Sequence, residues 1–142
     1  MIVLAYDHRA FEMMQKIKKY LEKKGLEYVE FANKEYTKTD SYSKFAKEAN
    51  KKMLENPEYR GIYSCRTGIG ISMTANRSKG IRAGLCTDVK TTFLARNDDD
   101  INVLVMPVHL PFAKVKKMID TFLNTPFEGG RHIERLKELD LD

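Results

Sequence analysis

Short apolar, strand-like runs recur along the chain at Ile2–Tyr6, Tyr28–Phe31, 61–64, 81–86 and 103–108, separated by stretches of helical period. Between the first two runs, Phe11, Met14, Ile17 and Leu21 repeat at three and four residues and so line one helix face, with Gly25 placed to stop the helix. Tyr42, Phe45, Ala49 and Met53 form a second such stripe, and Val115, Met118, Ile119 and Phe122 a third. The methionines fall mostly on these stripes and read as core filler. Strands alternating with helices are the pattern of stacked βαβ units. The expected fold is therefore α/β, a three-layer α/β/α sandwich around a five-stranded parallel Rossmann-like sheet in the order 2-1-3-4-5. Right-handed crossovers put helices on both faces and the ligand crevice beyond the carboxyl ends of the strands. No linker, low-complexity tract or internal repeat divides the chain, so one domain over residues 1–142 is expected, with the longest loop at 33–41 and a segment at 125–132 leading into a short polar terminal helix.

A chain of 142 residues with 42% hydrophobic content can bury one core without disulfides or metal. Lys and Arg outnumber Asp and Glu by 25 to 20, a formal charge of +5 that suits an anionic ligand. Nucleic acid is disfavoured as a partner because Lys18-Lys19, Lys23-Lys24, Lys51-Lys52 and Lys116-Lys117 are dispersed over separate helical patterns, usually beside Glu, as solvated faces are. No segment approaches the roughly 18 apolar residues needed to span a bilayer, and the first residues enter a strand-like run with no leader pattern ahead of it. The expectation is a cytoplasmic protein with no membrane partner, in which the widely separated Cys65 and Cys86 stay free thiols, Cys86 as a buried strand residue.

The chemistry concentrates where strands should end. The first is followed by Asp7-His8-Arg9 and the third by Cys65-Arg66-Thr67-Gly68-Ile69-Gly70-Ile71-Ser72. A Gly-spaced loop entering a helix turns successive backbone N–H groups toward an anion; two glycines alone are also what any tight turn uses. Cys65, at a strand end beside a helix start and near cationic residues, could be a low-pKa base or nucleophile, although a lone cysteine is usually inert. Asp7 and His8 point in opposite directions and could serve separate tasks, or His8 could simply cap or pack. Arg131 and Arg135 lie at i and i+4, a spacing suited to gripping a phosphate and equally to an ordinary basic helix. Asp98, Asp100 and Asn102 have calcium-loop spacing, but Val103 stands where that loop needs Gly and His109 where it needs Glu, so no metal site is assigned.

Taken in order, Asp7-His8, the region from Asp40 to Tyr42, Cys65-x-Thr67-Gly68-Ile69-Gly70-x-Ser72, Ala75-Asn76, Gly80-Ile81-Arg82-Ala83, Ala95-Arg96, Asp100-x-Asn102-Val103-Leu104 and Phe127-Glu128-Gly129-Gly130-Arg131-His132 resemble the ribose-5-phosphate isomerase B and galactose-6-phosphate isomerase family over nearly the whole chain. The resemblance implies a metal-free, cofactor-free aldose–ketose isomerisation through an enediolate. Family members carry the base either at position 65 or as Glu at position 69; Ile69 cannot titrate, so Cys65 is implied. By the same resemblance Thr67 and the N–H groups of Gly68, Gly70 and Ser72 would stabilise the enediolate oxygen. His8, Arg131 and Arg135 would hold the phosphate, and Asp7 and Tyr42 would orient sugar hydroxyls. Residues 98–102 would come from the partner subunit of a homodimer, higher assembly being left open.

The chain departs from that pattern at functional positions. Arg9-Ala10 replaces Ala-Gly, Arg66 replaces Gly after the cysteine, Asp98-Asp99 replaces His-Asn, and His109 replaces an arginine after the fifth strand. Arg66, Asp99, Asn102 and His109 are retained as candidate substrate contacts and Asp98 as a candidate catalytic residue. The missing imidazole at 98 is the one linked in relatives to opening the furanose ring, and an ionised carboxylate accepts but does not donate a proton. Asp98 could act with another donor, the substrate could be open-chain or of different length, or catalysis could be lost; retained catalysis is preferred because Asp7, Cys65, Thr67, Asn102 and both tail arginines remain. The expected substrate pair is ribose 5-phosphate and ribulose 5-phosphate. Its rivals are a six-carbon 6-phosphate such as allose or galactose 6-phosphate, and a non-catalytic phosphosugar-binding role. A dinucleotide domain lacks its G-x-G-x-x-G after the first strand.

Overall fold

Parallel strands joined by helices form the body of the molecule, seen in a computed structural model that describes residues 1–35 and 37–140. In chain order these are β1 (Ile2–Tyr6), a 3-10 turn (His8–Ala10), α1 (Phe11–Lys23), β2 (Tyr28–Phe31), α2 (Tyr42–Met53) and β3 (Arg60–Cys65). They continue with α3 (Ile69–Ala75), β4 (Ala83–Leu85), α4 (Val89–Asp99), β5 (Val103–Pro107), α5 (Phe112–Asn124) and α6 (His132–Glu138). Side-chain alternation divides the core in two. Ile2, Leu4, Tyr6, Ile62, Leu104 and Met106 face α1 and α5, while Val3, Ala5, Tyr63, Cys65, Val103 and Val105 face α2 and α3. The stripes read from spacing supply the covering layers: Met14, Ile17 and Leu21 from α1, Val115, Met118, Ile119 and Phe122 from α5, and Phe45, Ala49 and Met53 from α2. Burying a ring such as Phe122 contributes on the order of 3 kcal/mol. The stop at the end of α1 is a Schellman motif, with Gly25 at φ 71°, its N–H on Glu22 O at 3.0 Å and the N–H of Leu26 on Leu21 O at 3.0 Å.

All strand pairs are parallel, and the order is β2-β1-β3-β5-β4 rather than the expected 2-1-3-4-5. Burial explains the exchange. Every residue of β5 is buried, so it needs a strand on each side and a helix on each face. β4 has three residues, of which Leu85 is exposed, and such a short strand serves as an edge. It is also shorter than the apolar run at 81–86. The amide of Asn102 takes the residues before β4 out of the ladder, accepting from Arg82 N at 2.8 Å and donating to Gly80 O at 2.9 Å.

The chain leaves β1 for the β2 side and β3 for the β5 side, so the direction of winding reverses between them. The carboxyl ends of β1 and β3 are thus the switch point at which open α/β sheets bind ligands. Among the described residues no helix is long and apolar enough to cross a membrane, and Cys65 and Cys86 are both free and buried.

Candidate active site

Asp7 and Cys65 meet at that switch point for a reason of register. Tyr6 pairs with Ser64 across β1 and β3, so the next residues, Asp7 and Cys65, stand side by side as the strands end. Asp7 keeps extended backbone (φ −102°, ψ −175°), which continues the alternation and places it on the same face as Val3, Ala5, Tyr63 and Cys65. Its carboxylate caps the 3-10 turn, accepting from Arg9 N at 3.0 Å. It is buried, and that burial raises its pKa above the ordinary carboxylate value, against the lowering by the Arg9 bond and the His8 charge.

His8 turns to the other side and is held by Asp40, a residue to which spacing assigned no role. One carboxylate oxygen of Asp40 accepts from His8 N at 3.0 Å and contacts its Nδ1 at 2.8 Å, and the other accepts from Asn33 at 3.3 Å. This contact assigns Nδ1 as the donor and sets the plane of the ring. It also ties the 33–41 loop to the exit of β1. Asp40 was legible only as the residue ahead of a helix start, because its partner lies 32 positions away.

The turn after β3 is shaped by two glycines for different reasons. Gly68 has φ 79°, and a Cβ there would stand 2.5 Å from Leu85 Cδ1 and 3.3 Å from Val105 Cγ1. Gly70 is needed for close approach: a Cβ would stand 2.5 Å from Tyr42 Cζ and 2.6 Å from its hydroxyl. The Tyr42 ring therefore lies over the start of α3. Thr67 is exposed, and its hydroxyl accepts from Ile69 N at 3.2 Å. The N–H of Ser72 is committed to Gly68 O at 3.1 Å, which leaves its hydroxyl as the group it can offer. Arg66 is exposed, and its carbonyl accepts from Val108 N at 3.2 Å, which brings the exposed His109 to the same edge. Arg9 borders a neighbouring cavity with Val108. The carboxyl ends of β1, β3 and β5 thus carry His8, Arg9, Arg66 and His109 at the edge where the buried Cys65 thiol and Asp7 carboxylate lie, an arrangement suited to a small anion.

The remaining candidates gather elsewhere. Asp98 and Asp99 end α4, and Asn102 precedes β5, so they lie at the amino ends of the strands, a strand length or about 16 Å from the level of Cys65. Both polar atoms of the Asn102 amide are engaged on Gly80 and Arg82, so it braces the entry to β4. The tail docks beside them: Glu128 N donates to Asn97 O at 3.0 Å. The Asn97 amide donates to Asp98 at 2.8 Å and to Glu128 at 2.9 Å. Arg131 and Arg135 are exposed on this side, Arg135 bordering a groove with Asp99. Asp100, left-handed at φ 46°, closes α4 with its carboxylate on Arg96 at 2.8 Å and Arg82 at 3.2 Å.

A Rossmann-like domain with a cysteine, a carboxylate and a glycine turn at its switch point belongs to the α/β enzymes that act on small anionic substrates. The chain is a member of the ribose/galactose isomerase family, whose model, described as Ribose/Galactose Isomerase, matches residues 2–139. Ribose-5-phosphate isomerase B of Escherichia coli is 32% identical over 139 residues, covering 97% of this chain and 93% of the relative. The crystal structure of a ribose 5-phosphate isomerase from Thermotoga maritima superposes with a TM-score of 0.93 at 40% identity, covering 98% of this chain and 96% of that one. Ribose-5-phosphate isomerase B from Mycoplasma genitalium, solved with bound ribulose 5-phosphate, superposes with a TM-score of 0.92 at 34% identity, covering 97% and 92%.

Proposed function

We propose that this chain interconverts ribose 5-phosphate and ribulose 5-phosphate, with Cys65 moving the proton. The observation that carries the reading is the pairing of Cys65 with Asp7 on one face of the sheet at the switch point, in a family whose solved members include one holding ribulose 5-phosphate. In the aldose-to-ketose direction the Cys65 thiolate takes the proton from C2 of the open-chain sugar. The electron pair forms the C1–C2 double bond of an enediolate, and negative charge develops on O1. Thr67 and the N–H groups of Gly68 and Gly70 stabilise that charge. The thiol then returns its proton to C1, while O1 gains and O2 loses a proton, so that the carbonyl moves to C2. Asp7 orients the hydroxyls, Tyr42 covers the sugar, and His8, set by Asp40, draws the phosphate to an edge that Arg9 and Arg66 make cationic and that His109 borders.

The second cationic group, Arg131 and Arg135, reaches this chemistry from a second copy of the chain, together with Asp98 and Asp99. Support comes from their placement a strand length away within one chain and from an exposed apolar surface of Ile69 and Met73 on α3, Leu85 on β4, and Phe93 and Leu94 on α4. Turnover of both five-carbon sugars and of allose and galactose 6-phosphates, measured for the protein and for Cys65→Ala, tests the reading. Five-carbon turnover reduced by at least about a hundredfold in the variant is expected for loss of a general base. Six-carbon turnover alone would move the substrate, and binding with no turnover would leave a phosphosugar-binding protein.

A further inference from the structure

We propose that Asp98, Glu128 and His132 form a binding site for a divalent transition-metal ion of the zinc class, argued from the geometry around His132 and tested without an activity readout. The imidazole of His132 is 5% exposed. Its Nε2 is buried with no hydrogen-bond partner among the described residues. An orphaned buried nitrogen is costly, so what it faces is informative. It faces Glu128 Oε2 at 3.4 Å and Asp98 Oδ1 at 3.7 Å. Both separations exceed the usual N–H···O range of about 2.7–3.2 Å, and neither contact is a formed hydrogen bond. They match the edges of a coordination tetrahedron: two ligands each about 2.1 Å from one zinc ion stand roughly 3.4 Å apart.

A second carboxylate–histidine group among the described residues shows what a closed arrangement looks like. There His8 Nδ1 lies 2.8 Å from Asp40, at hydrogen-bonding distance. Around His132 the imidazole stops short of both oxygens, although all three ligand atoms lie within 4.8 Å of one another. The two carboxylates are held together from outside, since the Asn97 amide donates to the same oxygens, Asp98 Oδ1 and Glu128 Oε2, that face Nε2. That is the role of a supporting residue that orients metal ligands. The carboxylate side chains are 36% and 52% exposed, which gives an entry path and leaves the solvent side open for a fourth ligand from water. One imidazole with two carboxylates suits zinc, and cobalt as its spectroscopic substitute, better than calcium or magnesium, which favour all-oxygen sets. An ion here would join the end of α4 to the tail through ligands thirty positions apart and so fix the segment that carries Arg131 and Arg135.

The test is titration of the metal-stripped full chain with Co²⁺ at neutral pH, followed in the visible. Saturable binding of one ion per chain with a strong tetrahedral d–d band, displaced by Zn²⁺, is expected. His132→Gln and Glu128→Gln should each weaken it by about tenfold or more, and Asn97→Ala, which leaves all three ligands, by roughly ten- to a hundredfold. Circular dichroism establishes that each variant folds; Glu128 is exposed enough that its variant carries the test should His132→Gln misfold. Absence of a saturable band would overturn the proposal. So would binding unchanged in Glu128→Gln, or a near-ultraviolet thiolate-to-cobalt band placing the ion on Cys65 or Cys86.

Discussion

Asp7 is held where its charge is unfavourable, and pH exposes that cost. Burial raises its carboxyl pKa in the folded protein above the unfolded value. The native state therefore binds the proton more tightly than the unfolded chain does. Stability from this group is present at acidic pH and is lost as pH rises through the folded pKa. Asp7→Asn keeps an oxygen to accept from Arg9 N and removes the ionisable group. It should melt higher than the parent at neutral pH, with the gap closing toward acid, while turnover falls, a trade of stability for function. Melting curves across the pH range decide it: a variant that melts lower at neutral pH would contradict the assignment of cause. Asp40 can be read through His8. Asp40→Asn weakens a charged hydrogen bond worth roughly 1.5–3 kcal/mol; if His8 binds the phosphate, KM should rise about tenfold or more with kcat nearly unchanged, and equal KM values would remove Asp40 from the site. The alternation of β1 and β3 made Asp7 and Cys65 legible as neighbours once the strands were paired. Asp40 was not legible in that way, because its contact with His8 is made by a loop whose path no local rule sets.

At the scale of elements, the β3–α3 turn separates two demands that a glycine pattern alone merges. Gly68→Ala meets both a left-handed backbone and a Leu85 methyl at 2.5 Å. It should cost about 1–2 kcal/mol, or roughly 3–6 °C in melting temperature for a domain of this size. Gly70→Ala meets the far end of the Tyr42 ring, which is 36% exposed and can swing away. It should leave the melting temperature nearly unchanged and lower turnover by displacing that ring. Thermal melts beside steady-state rates separate the two variants, and an equal loss of stability in both would show that Tyr42 is rigidly held. The exchange of β4 and β5 belongs to this scale as well. The periodicities of two and 3.6 located both strands, but the register that orders them depends on long-range pairing. The deciding feature, β5 buried along its whole length beside a three-residue β4, was visible only as an apolar run at each place.

At the scale of the whole molecule, the parts proposed for one reaction sit at opposite ends of one sheet. Cys65, Asp7 and His8 stand at the carboxyl ends of the strands, and Asp98, Asp99, Arg131 and Arg135 toward the other end, beyond the span of any side chain. Rotation of a second copy about a two-fold axis can bring one chain's tail to the other's switch point, and closed symmetry then builds two equivalent shared sites. This arrangement has a consequence that a self-contained site does not. Cys65→Ala and the double variant Arg131→Ala with Arg135→Ala should each be nearly inactive alone. When the two are unfolded, mixed in equal amounts and refolded, half of the dimers pair one of each, and each mixed dimer has one site with every group intact and one with both defects. Turnover should then return to about a quarter of the parent's. If each chain served its own cysteine with its own arginines, every site in the mixture would carry one of the two lesions and no activity would return. Size-exclusion chromatography of the same mixture distinguishes failure to share a site from failure to pair. Dimers that form without recovered turnover would place the tail arginines in the site of their own chain's cysteine.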